Sequence, residues 1–223
     1  MKGLLLGIVL IILIGLGGFF YRNTLEHPAP NGNNNQTVCT LDAKICPDGT
    51  GLGRQGPNCA FPACPLPNAE DAAIGLGFVI PNGFVSNPDA IGPDETLRVV
   101  LDKQGTTTPP DSLVIRRYPI PEGKKATDAI LANTMFETSG NQPQSISEFK
   151  KKTIGTHTFY VITVERFEAI IHTEYYLARE KDVLRFEVIE RNVFDWTNPK
   201  LVLEELPSHK ALLSLLGTIQ LSQ

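Results

Sequence analysis

The segment His157–Glu190, HTFYVITVERFEAIIHTEYYLAREKDVLRFEVIE, decides the fold of this chain. Aromatic and β-branched residues dominate it, and these residues favour the pleated surface of a sheet. They form three runs, His157–Phe167, Ile170–Arg179 and Val183–Glu190, which are separated by two short polar breaks. Breaks this short join antiparallel neighbours. The segment therefore predicts a three-stranded antiparallel meander.

Shorter apolar runs and helix signals surround the meander. The predicted strands are Ile74–Ile80, Leu97–Leu101 and Leu113–Tyr118. Three helices are also predicted. The first runs from the cap Thr127 to Glu137, the second covers 146–151 after the capping pair Ser145 and Glu148, and the third follows the cap Ser208. The last helix carries a leucine stripe that must face other apolar surface. Strands in runs with a few helices predict an α+β fold, an antiparallel sheet packed by a few helices, over residues 72–223.

Two parts of this region resemble a known family. Gly77-Phe78-Val79-Ile80-Pro81-Asn82-Gly83-Phe84 resembles the opening strand and Gly-aromatic turn of the superfamily of PsbP, the extrinsic photosystem II subunit, which includes bacterial envelope relatives. Leu212–Leu221 resembles its closing helix. The resemblance spans 72–221 and implies a PsbP-like fold with a mostly non-catalytic accessory or binding role. It transfers no functional residue.

All four cysteines lie within the turn-rich segment 39–65, as Cys39, Cys46, Cys59 and Cys64. So short a segment has little core of its own and needs covalent support. Structural zinc sites favour closely spaced cysteine pairs, and the spacings of six and twelve residues do not provide them. We therefore predict two disulfides rather than a zinc site. Four cysteines allow three pairings, and the sequence leaves the pairing open.

The cysteine segment also resembles a known motif. Cys-Thr-Leu-Asp-Ala-Lys-Ile-Cys-Pro-Asp-Gly-Thr, followed by Gly-Arg-Gln-Gly-Pro-Asn-Cys and ending at Cys64, is similar to a short four-cysteine motif of envelope proteins from small uncultured bacteria. The motif implies an envelope location and carries no activity.

Leu4–Phe20 is an apolar run without charge or proline. With its flanking Gly3 and Tyr21 it would form about 28 Å of helix, and a bilayer core is about 30 Å thick. We predict a transmembrane anchor over residues 1–21 and a flexible linker over 22–38. A cleaved secretory signal is the alternative, although its apolar core is usually shorter. Because disulfides form in oxidising compartments, residues after about 22 are expected outside the cytoplasm of a single-pass protein of the cell membrane.

Charge excludes one large class of function. The formal net charge is -4, with acids and bases interspersed. Phosphate-backbone binding requires a basic stripe, so we expect no nucleic-acid partner. The only basic run is Lys150–Lys152, which the helix pattern places at a solvated helix end.

The chemistry-bearing residues are few. His172 and Glu174 lie two apart on a predicted strand and therefore share a face. They are candidates for a metal or acid-base site, although the sequence shows no third ligand. We find no nucleophile elbow, phosphate loop or His-Glu-x-x-His motif. His209, next to the Ser208 cap, is expected in solvent. No catalytic residue, cofactor or metal ligand is assigned.

Three functions remain open. The first is a membrane-anchored extracytoplasmic protein with a non-enzymatic binding or accessory domain, which has an envelope protein or small molecule as partner. The second is an envelope enzyme, metal-dependent or other, that uses His172 and Glu174. The third has the cysteine module acting as an inhibitor or adhesion module.

Overall fold

The computed structural model describes residues 39–46, 51–64, 67–105 and 108–221. The predicted anchor Leu4–Phe20 and the linker 22–38 lie outside these residues. No helix within the described ranges is both long and apolar enough to cross a membrane. The described residues belong to two compact units, one with residues 39–40 and 55–60, the other with residues 41–46, 51–54, 61–64, 67–105 and 108–221.

The described residues form two α-helices, α1 (Ala126–Ala132) and α2 (Pro207–Gly217). Their strands are β1 (Ala43–Ile45), β2 (Gly51–Gly53), β3 (Ala69–Asp71), β4 (Leu76–Phe78), β5 (Phe84–Ser86), β6 (Leu97–Lys103), β7 (Ser112–Pro119), β8 (Lys150–Ile154), β9 (His157–Phe167), β10 (Ile170–Ala178), β11 (Asp182–Glu190) and β12 (Gln220–Leu221).

The main sheet has seven strands in the order β5-β6-β7-β11-β10-β9-β8, and every neighbouring pair is antiparallel. The predicted meander is confirmed as β9, β10 and β11. Glu168 and Ala169 form the turn between β9 and β10 with positive φ angles of 48° and 61°, as a two-residue hairpin turn of the primed type requires. Smaller sheets have the orders β12-β4-β3 and β1-β2. The α+β class and its antiparallel sheet are therefore confirmed.

One face of the meander packs against α2. Phe159, Tyr175 and Phe186 are at most 1% exposed and lie on neighbouring strands. The helix adds Leu212, Leu215 and Leu216 to the same apolar cluster. We call this side of the sheet the α2 face.

The other face of the sheet packs against α1. Side chains alternate along a strand, so Tyr176 points away from its neighbour Tyr175. It joins Ile130 of α1, Phe149 and Val183 in a second, smaller apolar cluster. We call this side the α1 face, and it also carries most of the buried charge described below.

The cysteine prediction is confirmed. Cys39 pairs with Cys59 and Cys46 pairs with Cys64. All four cysteines are thus in disulfides, and the pairing that the sequence left open is resolved.

Two helix predictions were wrong in extent. The helix predicted from Thr127 to Glu137 ends at Ala132, because Thr134 Oγ1 bonds both the Ile130 carbonyl and the Tyr176 hydroxyl and so draws the chain toward the sheet. Its N-terminus is capped by Asp128, whose carboxylate accepts a hydrogen bond from the Lys125 amide at 2.9 Å.

The basic run Lys150–Lys152 does not end a helix. The predicted helix over 146–151 is a single 3₁₀ turn over 146–148, in which Glu148 accepts from the Ser145 amide as the capping pair predicts. The three lysines then form most of β8, an edge strand of the sheet. Lysine on an edge strand opposes pairing with further strands.

Candidate functional site

The predicted pair His172 and Glu174 lies on the α1 face of β10, where the structure supplies a third group. Register pairs Glu174 with Glu187 of β11. His172 Nε2 is 3.9 Å from Glu174 Oε1 and 3.4 Å from Glu187 Oε2. One donor atom of each residue lies within 4.8 Å of the others, a spacing that could hold a metal ion. The sequence contained the signal for Glu187, because a hairpin turn at 180–181 places residues 174 and 187 opposite each other.

Two arginines already compensate these carboxylates. Arg185 lies 2.8 Å from Glu187 and 3.1 Å from Glu174, and Arg116 lies 2.9 Å from Glu187. A divalent cation would therefore enter a cluster whose carboxylates are already neutralised by arginines. The cost of removing water from the cation would then not be offset by attraction to unpaired carboxylates. The donor spacing suits a metal but the charge balance does not.

The net pKa shifts of the two glutamates have opposite directions, although burial acts in the same direction on both. Burial raises the pKa of Glu174, and Arg185 offsets this only in part. At Glu187 burial alone would raise the pKa, but His172 and the two arginines together lower it. His172, Glu174 and Glu187 are all buried. We therefore interpret this group as a buried ionic network that fastens β7, β10 and β11 together.

A cavity of about 620 Å³ lies on the α2 face, and we call it the His209 cavity. Its lining from the sheet includes Val161, Thr163, Thr173 and Tyr175, and its remaining lining includes Leu201–Glu204, Phe136, Lys150 and His209. Apolar side chains form much of this lining, and a few polar groups converge on it, which is the usual composition of a ligand site.

His209 lies at the cavity as a buried, neutral imidazole. Its Nε2 is 2.6 Å from the Tyr175 hydroxyl. Burial lowers the pKa of His209 to about 4 and raises that of Tyr175. Within the described residues, Nδ1 of His209 is buried without a hydrogen-bond partner. A neutral imidazole has one donor and one acceptor nitrogen, so Nδ1 can offer a ligand one hydrogen bond.

The expectation that His209 is solvated was wrong, since it is only 1% exposed. The predicted Ser208 cap was also wrong, because α2 begins at Pro207 and Ser208 lies inside its first turn. Glu190 takes the capping role by accepting from the Ser208 and His209 amides at 2.9 and 3.2 Å. The missed signal was the helical spacing of His209 with Leu212 and Leu216, which puts all three side chains on the same, buried side of the helix.

Acid should weaken the fold through His209. An unfolded histidine has a pKa near 6.5, so below that pH the unfolded chain binds a proton that the folded chain excludes until about pH 4. The stability present above pH 6.5 is therefore lost as the pH falls, by roughly 3 kcal/mol in full. His209→Gln should show a smaller decrease in Tm between pH 6.5 and 4 than the wild type.

Thermal unfolding across that pH range measures this difference. His157→Gln is the matched control, because His157 also lies on the sheet but is only half-buried. Equal pH slopes for the wild type and His209→Gln would contradict the buried, neutral state of His209.

Comparison with known proteins shows a similarity in fold and none in sequence family. No family model matches the chain, and no curated protein matches it in sequence. The solution structure of cyanobacterial PsbP (CyanoP) from Synechocystis sp. PCC 6803 is similar with a TM-score of 0.43 and 13% identity, over 69% of this chain and 91% of that chain. Its name is that of the family whose opening strand and closing helix the sequence resembles.

Proposed function

We propose that this chain is a membrane-anchored extracytoplasmic protein whose α+β domain binds a small, largely apolar ligand in the His209 cavity without catalysis. The observation that carries the proposal is the cavity itself. Its volume of about 620 Å³ falls in the range of roughly 300–1,000 Å³ that is typical of small-molecule sites. A buried imidazole nitrogen without a partner adds a specific polar contact.

The charges around the cavity suit a ligand with one anionic group. The one carboxylate of the lining besides Glu204 is Glu148, which already accepts from the Gln144 and Ser145 amides. Arg166 donates to the carbonyls of Trp196 and Asn198 at 2.5 Å, and Glu204 pairs with Lys152 at 2.6 Å. Both side chains are thus engaged by the protein. Lys150 is exposed and lines the cavity, so it is available to a carboxylate or sulfonate on the ligand.

The absence of catalysis is proposed from the state of the reactive groups. The four cysteines are in disulfides. Ser208 is fully buried and donates to Asp111. The His172, Glu174 and Glu187 network is buried and balanced by arginines. These arrangements favour structural roles over nucleophilic or metal-assisted chemistry.

The location is proposed from the disulfides together with the Leu4–Phe20 run. Stable disulfides are typical of oxidising compartments, and the run has the length of a membrane span. Alkylation of intact cells with a membrane-impermeant maleimide, without and with reductant, tests this proposal. We expect labelling only after reduction; labelling that additionally requires permeabilised cells would place the cysteines inside.

Binding can be tested with 1-anilinonaphthalene-8-sulfonate, an apolar ring system with one anionic group. Val161 lines the cavity from β9, so Val161→Trp should fill it and weaken dye binding by about tenfold or more, a change of about 1.4 kcal/mol. Thr158→Trp is the matched control, because Thr158 is an exposed position of the same strand that does not line the cavity.

Fluorescence titration gives the Kd, and Tm values show that both variants fold. Dye that binds Val161→Trp as tightly as the wild type would place the binding elsewhere and overturn the proposal.

A further inference from the structure

A second cavity lies at the start of α2, and Glu190 is one of its lining residues. Glu190 is 3% exposed, and its Oε1 accepts from the first two amides after Pro207, as described above. In the described part of the chain, its other oxygen, Oε2, is buried and has no hydrogen-bond partner. One half of this carboxylate is therefore held by the helix and the other half remains available.

The neighbouring Asp111 differs from Glu190 because its contacts are complete. Its Oδ1 accepts from the Arg191 amide at 2.8 Å. Its Oδ2 accepts from Ser208 Oγ at 2.7 Å and from Lys103 Nζ at 3.1 Å. The charge of Lys103 is thus matched by Asp111, whereas no ion pair within the described residues includes Glu190.

The cavity beside Glu190 has about 530 Å³ and we call it the Glu190 cavity. Its lining includes the apolar residues Val193, Phe194, Leu206 and Pro207. Phe194 is 85% exposed, an unusual state for a large aromatic side chain, and its ring is available to a ligand. No lining residue of this cavity also lines the His209 cavity.

We propose that the Glu190 cavity binds a primary ammonium group carried on a small aromatic or aliphatic body. The ammonium group would donate to Glu190 Oε2, a charge-assisted hydrogen bond of the stronger kind. The body would pack on Phe194, whose ring face also attracts cations. The acids Asp111, Glu190 and Asp195 line the cavity together with the cations Lys103 and Arg191. Lys103 is already paired with Asp111, and the acids outnumber the bases by one, so the charge balance favours a cationic ligand over an anionic one.

Binding should depend on pH. Burial and, to a lesser extent, Asp111 raise the pKa of Glu190, the helix amides and Lys103 lower it, and the net pKa is about 7. An ammonium group binds the ionised carboxylate, so its affinity should increase with pH up to about 7 and level off above it. This dependence distinguishes Glu190 from an exposed glutamate, which is fully ionised throughout that range.

The experiment uses the full-length protein in detergent with benzylamine as the probe. Calorimetric titration should show benzylamine binding, while benzyl alcohol, which has the same ring without the charge, should bind at least about tenfold more weakly. Glu190→Gln keeps an oxygen for the helix amides and removes the charge, so it should weaken benzylamine binding by about tenfold to a hundredfold.

Two further variants complete the test. Phe194→Ala changes an exposed side chain and should weaken binding several-fold without loss of fold. Glu205→Gln alters an exposed acid near the same helix that does not line the cavity, and its affinity should equal that of the wild type. The proposal is overturned if benzylamine does not bind, if benzyl alcohol binds equally well, or if folded Glu190→Gln or Phe194→Ala retains wild-type affinity.

Discussion

Replacing Arg185 with methionine is expected to lower the free energy of unfolding by about 3–5 kcal/mol. Its guanidinium is the shared counter-ion of Glu174 and Glu187 and also donates to the Asn133 carbonyl at 2.6 Å. Both glutamates are 2–3% exposed. Methionine fills similar volume but leaves two buried carboxylates with less compensation, which is far more costly than losing an exposed pair.

Denaturant unfolding measures this change, with Lys210→Met as the matched control. Lys210 pairs with Glu205 at 2.5 Å, but both side chains are more than half exposed. Loss of such a pair costs less than about 1 kcal/mol. Adding Glu174→Gln and Glu187→Gln to Arg185→Met should restore part of the lost stability, because the uncompensated charges are then gone. A loss for Arg185→Met no larger than that for Lys210→Met would show that the network does not depend on this arginine.

Phe159→Ala should be comparably severe and should also abolish dye binding at the His209 cavity. The Phe159 ring meets Tyr175 and Phe186 edge-on, with centroids 6.3 and 6.0 Å apart. Truncating a fully buried phenylalanine costs about 3–5 kcal/mol through lost burial and the void that remains. Tyr175 would lose the ring that supports it, and with it the position of the Tyr175 hydroxyl against His209.

Phe167→Ala is the matched control on the same strand. Phe167 is 44% exposed, and within the described residues its only ring contact is an edge-on one with Trp196 at a centroid distance of 5.8 Å. Its removal should cost about 1 kcal/mol, the centre of the range for point substitutions, because the side chain is only partly buried. Chemical denaturation and 1-anilinonaphthalene-8-sulfonate titration below the unfolding transition provide the two measurements. Unchanged dye affinity in Phe159→Ala would show that the aromatic cluster does not position the cavity.

The meander could be predicted because its order is local. Alternation along β9, β10 and β11 and two short turns are visible within thirty-four consecutive residues. The pairing of β7 with β11 could not be predicted, since about sixty residues separate the two strands and no pattern in either strand specifies its partner. The run Lys150–Lys152 was misassigned because lysine forms helices readily, although β8 pairs with the neighbouring β9 across the short turn at 155–156.

The sites were predictable only where their residues are neighbours in sequence. His172 and Glu174 share a face through simple alternation, and the register across the hairpin adds Glu187. The arginine that balances them from β7, Arg116, is about seventy residues away from Glu187. The cap of α2 is Glu190, which lies at the end of a strand and not next to the helix in sequence. The capping rule considers only adjacent residues, so it selected Ser208 and placed His209 in solvent instead of in the core.

The central β7–β11 pair also affects how the chain is synthesised. Synthesis runs from the amino terminus at about 5–20 residues per second, so β7 emerges about 3 to 12 seconds before β11. During that interval Leu113, Val114 and Ile115 lie on a strand whose inner edge has no native partner. Such an edge pairs readily with another chain. We therefore expect aggregation of incomplete chains to compete with folding until β11 arrives, and the yield of folded protein to depend on the rate of translation through residues 120–181.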